Sequence, residues 1–421
     1  MPATPPAEEV GTPAPPAGAS PLFASPGFRS LLGSTTVSAL GGSISSVAVS
    51  WLVYHATGST LDVAYVGLTG IVPGIVLGLF AGVLADRYNR RRLMLTADSV
   101  RAIAMATLAL LLYSVGFSLL SVLLVMTVVY SFSALFTPAS NAILPRMVAV
   151  ERLEDANGVL SASTQTGYTV GAGAGGLLVV AAGPALGLGI NAATYVLSAL
   201  FLFQIASDLG RTRAAPKARS VRSDLGEGVA YMRAHPAVLQ VTFGFLPGNF
   251  LITMVLGFLV VYAATVLGHS AALYGTLEAV FAGSAAVGAL LVGRIRARRF
   301  AGLLFGVCVV LQAGGVGLLV VAHALELALV GAAVLGLTLG LINTTFYATM
   351  QAIVPNELLA RVLSIDSVGS FVAIPAGLVI GGLLANDLGI VSTYAIAGIG
   401  TLANGLALLA LPRVRGLSYG A

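Results

Sequence analysis

The chain has 421 residues, 57% of them hydrophobic and only 9% charged, where soluble domains carry about 25% charged residues, so a soluble fold is excluded. Its 21 basic residues exceed its 16 acidic ones; because they fall between apolar runs, this excess reads as membrane topology and not as nucleic-acid binding. The single cysteine, Cys308, rules out an intrachain disulfide and a thiolate metal site, and the histidines at 55, 235, 269 and 323 are too scattered in sequence for a metal motif. No metal and no cofactor is expected.

Twelve apolar runs are predicted at 31–54, 63–85, 93–115, 117–138, 157–182, 185–206, 237–264, 271–292, 301–322, 327–350, 359–384 and 389–411. Each is long enough to cross about 30 Å of hydrocarbon at 1.5 Å per residue. Such runs must be helical, because lipid offers the backbone no hydrogen-bond partner. The expected fold is all-α: a polytopic membrane protein of twelve transmembrane helices in two six-helix bundles. With both termini in the cytoplasm, Arg29, the cluster Arg87 to Arg92, Arg146, Arg152, the groups Arg211–Arg233 and Arg294–Arg299, Arg361, Arg413 and Arg415 all lie inside, leaving only Arg101, slightly within the third helix.

Residues 1–27, rich in Pro, Ala, Gly and Ser, read as a disordered cytoplasmic tail without the pattern of a cleaved signal peptide. The first bundle is assigned to 28–206. Its first helix is dense in small and hydroxyl residues, among them Ser34, Gly41, Ser43 and Ser45, which suit either tight helix packing or a polar cavity wall. Between the second and third helices lies the basic hairpin Gly82-Val-Leu-Ala-Asp86-Arg87-Tyr-Asn89-Arg90-Arg91-Arg92, the expected gate. Asp98 and Arg101, three apart, share a face of the third helix and read as a brace, with the hairpin charges as expected partners. Pro138 and Pro145 are expected to end the fourth helix and fix a turn. In the fifth helix, Gly167, Gly171, Gly175 and Gly176 form a groove where another backbone can approach.

Residues 207–236 form a polar cytoplasmic linker ending in an amphipathic helix, 237–412 the second bundle and 413–421 a second cytoplasmic tail. The halves repeat weakly in the same order: Gly82 and Leu84 recur as Gly288 and Leu290, and Gly175-Gly176 as Gly381-Gly382, both at an offset of 206. Parallel repeats about an axis along the membrane normal are a transporter plan. The second hairpin keeps Arg294, Arg296, Arg298 and Arg299 but has Val292 or Gly293 where Asp86 stood.

The hairpin resembles the signature of the major facilitator superfamily, Gly-x-Leu-Ala-Asp-Arg-x-Gly-Arg-Arg/Lys, through Gly82, Leu84, Ala85, Asp86, Arg87, Arg90 and Arg91. Asn89 replaces the internal glycine, a residue that also tolerates left-handed turns. Trp51 to Ser59, Asp98 to Ala102 and Pro138 to Asn157 are similar to the branch of bacterial exporters that includes macrolide-type efflux proteins and the enterobactin exporter. The resemblance covers about 28–412. The fifth-helix glycines match the antiporter signature Gly-x-x-x-Gly-Pro-x-x-Gly-Gly, except that Ala172 stands at the proline. A second departure is the fourth run, 117–138, which lacks the arginine often found there in drug–proton antiporters.

The resemblance implies a monomeric, multi-pass protein of the bacterial cytoplasmic membrane that exports a small amphiphilic molecule by alternating access in exchange for protons, with Asp86 and the hairpin arginines holding the inner ends together. Asp86 is also placed to meet the N-terminal end of the eleventh helix near Arg361. Glu278, about 10 Å below the outer end of the eighth helix, and Asp366, in the inner third of the eleventh, are the candidates for proton coupling or substrate binding. Asn191, Tyr195, Asn249, Asn343 and Tyr347 are candidate cavity residues. An enzyme or ATP-driven pump is disfavoured, because the only lysine, Lys217, follows Pro216 and no phosphate-binding loop exists. An importer or uniporter of the same fold and a non-transporting scaffold or sensor remain the alternatives.

Overall fold

The computed structural model describes residues 22–206, 221–295 and 299–418; within these, the side chains of 78–87, 221–225 and 356 are not described. Among the described residues the regular structure is helical, with no strand. The first bundle contains α1 (Pro26–Thr57), α2 (Thr60–Arg87), α3 (Arg90–Ser114), α4 (Leu119–Ile143), α5 (Leu153–Ala182) and α6 (Pro184–Phe203). A surface helix, α7 (Val221–Ala234), precedes α8 (Pro236–Leu256), α9 (Leu259–Thr265), α10 (Ala271–Arg294), α11 (Ala301–Val321), α12 (Leu325–Ile353), α13 (Asn356–Leu388) and α14 (Ile390–Ala410), and the chain closes with α15 (Pro412–Arg415).

Eleven described spans are long and apolar enough to cross a membrane, α8 and α9 together counting as one. The missing twelfth is α5, which is as long but is diluted by its Gly, Ser and Thr residues. Several predicted boundaries are corrected. The chain is already structured at Leu22, which is buried, and α1 starts at Pro26, where the Ser25 side chain accepts the Phe28 amide. Pro138 lies inside α4, which ends only at Ile143; a proline removes one donor, and neighbouring helices offset that loss within a membrane bundle. The seventh run breaks at Gly257–Phe258 into α8 and α9, where a Cβ on Gly257 would lie 2.5 Å from the Leu378 side chain. Asn89 is not left-handed: at φ −61° and ψ 115° it is the extended N-cap of α3 and accepts the Arg92 amide at 3.1 Å.

Within the first bundle α1 packs on α5 and α6, α3 on α4 and α6, and α2 on α4; within the second, α10 and α11 pack on α12, α14 on α11 and α8, and α8 on α13. The bundles meet chiefly through two helix pairs, α5 with α10 and α2 with α13, with α1 adding smaller contacts to α9 and α10. The offset of 206 maps α2 onto α10 and α5 onto α13, so each interface is the image of the other. The same offset relates the turns at Gly183 (φ 79°) and Gly389 (φ 82°), which open α6 and α14 in a backbone region that disfavours side chains. α7 lies against α13: Gly228 sits beside Arg361 and Ile365, the Tyr231 hydroxyl donates to the Ile353 carbonyl at 3.2 Å, and Met232 is buried.

Candidate functional site

The end at which α1 turns into α2 is here the α1/α2 end, and the opposite one the α2/α3 end. Both bundle interfaces close toward the α1/α2 end. Along α5 and α10 the contacts run from Gln165, whose side-chain amide donates to the Ala282 carbonyl at 3.0 Å, to Gly176, where an added Cβ would lie 3.0 Å from the Gly275 Cα. Along α2 and α13 the Thr60 hydroxyl donates to the Gly382 carbonyl at 2.7 Å, and Gly67 faces Leu378.

The fifth-helix glycines divide between two partners. Gly167, Gly171 and Gly175, four apart and so on one face, press on α1 at Thr36, Leu40 and Ile44, whereas Gly176 turns to α10. The partner glycine, Gly275, lies between Ala271 and Ala279 in a small-x-x-x-small pattern that was available in the sequence.

Toward the α2/α3 end, a cleft of about 120 Å³ lies among α8, α11, α12 and α13. It gathers four of the predicted residues, Asn249, Asn343, Tyr347 and Asp366, and adds Gln312 and Ser370. Asn249 donates to Ser370 at 2.9 Å. Phe245 and Phe346 form its apolar wall, edge to face at 5.4 Å. Small-molecule sites are commonly built from an apolar wall with a few convergent polar groups.

Asn191 and Tyr195 are elsewhere, a correction to their placing in a cavity. Both are buried in the first bundle. Asn191 donates to Ser45 at 2.7 Å, and the Tyr195 ring covers the Arg101 guanidinium at 4.5 Å. The Asp98 carboxylate, fully buried, pairs with Arg101 and accepts from Ser198 at 2.5 Å, with Ser34 2.7 Å further along the chain of hydroxyls. Arg101 also faces the Phe136 ring at 4.6 Å and donates to Ser133 at 3.3 Å. These partners replace the hairpin charges expected for the pair, because α3 turns this face to α4 and α6. Three hydroxyls of α1 are likewise spent on packing: Ser34 and Ser45 on α6, and Ser43 on the Tyr168 carbonyl at 2.8 Å.

Of the hairpin, Gly82, Asp86 and Arg87 lie outside the described side chains. Arg90 donates to the Ala142 carbonyl at 3.1 Å, and Arg91 to the carbonyls of Leu202 and Phe203 at 3.0 and 2.8 Å, tying the start of α3 to the ends of α4 and α6. Arg361 pairs with Glu227 of α7.

Glu278 does not line the cleft. It stands one turn after Tyr274 on α10, and the Tyr274 hydroxyl interacts with both the Glu278 carboxyl and Ser50 of α1. This carboxyl thus sits at the seam between bundles, near the α1/α2 end. Tyr274 escaped the sequence reading, although its spacing of four from Glu278 was a usable signal.

Two helical bundles of repeated design, joined along two symmetric helix pairs beside a polar-lined cleft, are the architecture of a multi-pass membrane transporter. The chain belongs to the transmembrane secretion effector family of the major facilitator superfamily, matching it over residues 17–417. It is 28% identical over 388 residues to the multidrug efflux pump Tap of Mycolicibacterium fortuitum, covering 90% of this chain and 93% of that one. Macrolide efflux protein A of Streptococcus pyogenes is 28% identical over 36% of this chain and 37% of its own. Among solved structures, a bacterial homologue of the human lysosomal transporter Spinster, inward-facing and unoccupied, superposes with a TM-score of 0.65 at 18% identity, covering 93% of this chain and 96% of that one. The nucleoside transporter NupG gives 0.70 at 12% identity, over 91% of this chain and 98% of its own. At such identities these structures speak to the fold alone.

Proposed function

We propose that this protein exports a small amphiphilic organic molecule across the bacterial cytoplasmic membrane in exchange for protons, by alternating access of its two bundles. The observation that carries this reading is the cleft, where one acid, Asp366, and several amide and hydroxyl groups face an aromatic wall. The names of the efflux relatives supply the direction. With both termini in the cytoplasm, as the basic-residue bias favours, the α1/α2 end faces outward and is closed, and the cleft lies toward the cytoplasm. Glu278, at the seam rather than in the cleft, is the proposed proton carrier. Gly82, Asp86, Arg87, Arg90 and Arg91 form the proposed inner gate, with Asp98 and Arg101 behind it.

The test is efflux from a pump-deficient host loaded in turn with a macrolide, a cationic dye and a tetracycline. Expression is expected to lower accumulation of at least one of them, and an uncoupler at constant ATP to abolish the effect. Efflux that withstands the uncoupler would remove proton exchange. Asp86→Asn, present in the membrane at normal level, is expected to lose efflux; near-normal efflux by that variant would sink the gate assignment.

A further inference from the structure

We propose that His55 and His269 form a two-histidine site for a borderline-soft divalent cation such as Ni²⁺, Cu²⁺ or Zn²⁺, which clamps the bundles together at the α1/α2 end. The sequence separates these residues widely, but the fold brings them together. His55 lies in the last turn of α1, in the first bundle, and His269 in the turn between α9 and α10, in the second. His55 Nδ1 and His269 Nε2 are 3.3 Å apart. Two nitrogens on a tetrahedral zinc, with bonds of about 2.0–2.1 Å, stand about 3.3–3.4 Å from each other.

The second nitrogen of His269 is already committed, since Nδ1 lies 3.1 Å from the Ala264 carbonyl, to which it donates. That bond leaves the Nε2 lone pair aimed at His55 and is the backing that ligating histidines usually have. The His269 backbone is held at φ 60°, alone among the described non-glycine residues in having a positive φ. That conformation is costly, so the surroundings must hold it. Trp51, buried, packs both rings, with centroids 6.1 Å from His55 and 5.6 Å from His269.

Without metal, His55 Nδ1–H donates to His269 Nε2. On metal uptake the His55 proton moves through solvent to its own Nε2, so both rings ligate as neutral imidazoles and no net proton is released. No cluster of three or more His, Cys, Asp or Glu side chains able to hold a metal occurs among the described residues, so water fills the other positions.

Trp51 is the only tryptophan in the chain, which makes it a built-in reporter. Purified full-length protein in detergent is titrated with NiCl₂ while tryptophan emission is followed. Saturable quenching is expected, reversed by excess ZnCl₂, with the midpoint raised at least about tenfold in His55→Ala and in His269→Ala. Quenching that never saturates, or midpoints unmoved in both variants, overturns the site. The clamp rests on the alternating-access reading and is tested separately: external ZnCl₂ is expected to slow efflux by the wild type and not by His269→Ala. Slowing that persists in the variant overturns the clamp. If the protein moves no compound, the titration still decides the metal site.

Discussion

At the scale of single residues, Arg101 has the most to lose. It is held by the buried Asp98 carboxylate, by Ser133 and by the faces of Phe136 and Tyr195. Removing one member of a buried pair costs about 3–5 kcal/mol, because the other charge is left uncompensated. Arg101→Leu is therefore expected to lower the unfolding temperature in detergent clearly. Arg101→Lys should fall between, since it keeps the charge but loses the planar group that fits between two rings. A Leu variant as heat-resistant as the wild type would discard the brace. The same residues mark what the sequence could tell about the site. Depth along a helix is readable from position, and Asn249, Asn343, Tyr347 and Asp366, all placed at mid-depth or toward the inner end, line one cleft. Rotation about the helix axis depends on the neighbouring helix, which position in the sequence does not give, and Asn191 and Tyr195 face α1 and α3.

At the scale of elements, the crossing of α5 and α10 is the tightest meeting of the bundles. Gly176 and Gly275 face each other so closely that a Cβ on either would lie 3.0 Å or less from the other's Cα. Gly176→Leu is thus expected to hold the α1/α2 end open and abolish transport, while Gly183→Ala, at a turn with open space but positive φ, costs stability and not closure. Labelling of a cysteine placed at Ala279 with a membrane-impermeant thiol reagent reads the difference: faster labelling is expected with Gly176→Leu, and an unchanged rate would refute the closing role. Long apolar runs made the helices themselves legible. The break at Gly257–Phe258 and the passage of α4 through Pro138 were not: the first sits where α13 brings Leu378 against Gly257, and a proline inside a membrane helix is tolerated when neighbouring helices offset the lost bond.

At the scale of the whole molecule, the repeat explains why closure comes in pairs. Symmetry relates the α5–α10 seam to the α2–α13 seam, yet the chemistry on them differs: Glu278 with Tyr274 and Ser50 on the first, and the Thr60–Gly382 bond on the second. A carboxyl at a seam is placed to favour opening or closing according to whether it carries a proton. Glu278→Gln is expected to keep substrate binding but lose substrate release of a pH gradient in inverted vesicles. A Gln variant that still couples would remove Glu278 as the proposed proton carrier and make Asp366 the next residue to test.

The last described turn has a consequence for the order in which the protein is built. The start of α11 has no side-chain cap; instead the Gly302 amide donates to the Leu417 carbonyl at 3.1 Å, and the buried Val414 backbone occupies the space where a side chain on Gly302 would stand. The first amides of a helix are orphans until something accepts them. Here the acceptor lies beyond α15, four helices downstream, so the Gly302 amide gains its partner only once the chain has been made as far as Leu417, and the start of α11 stays uncapped until then.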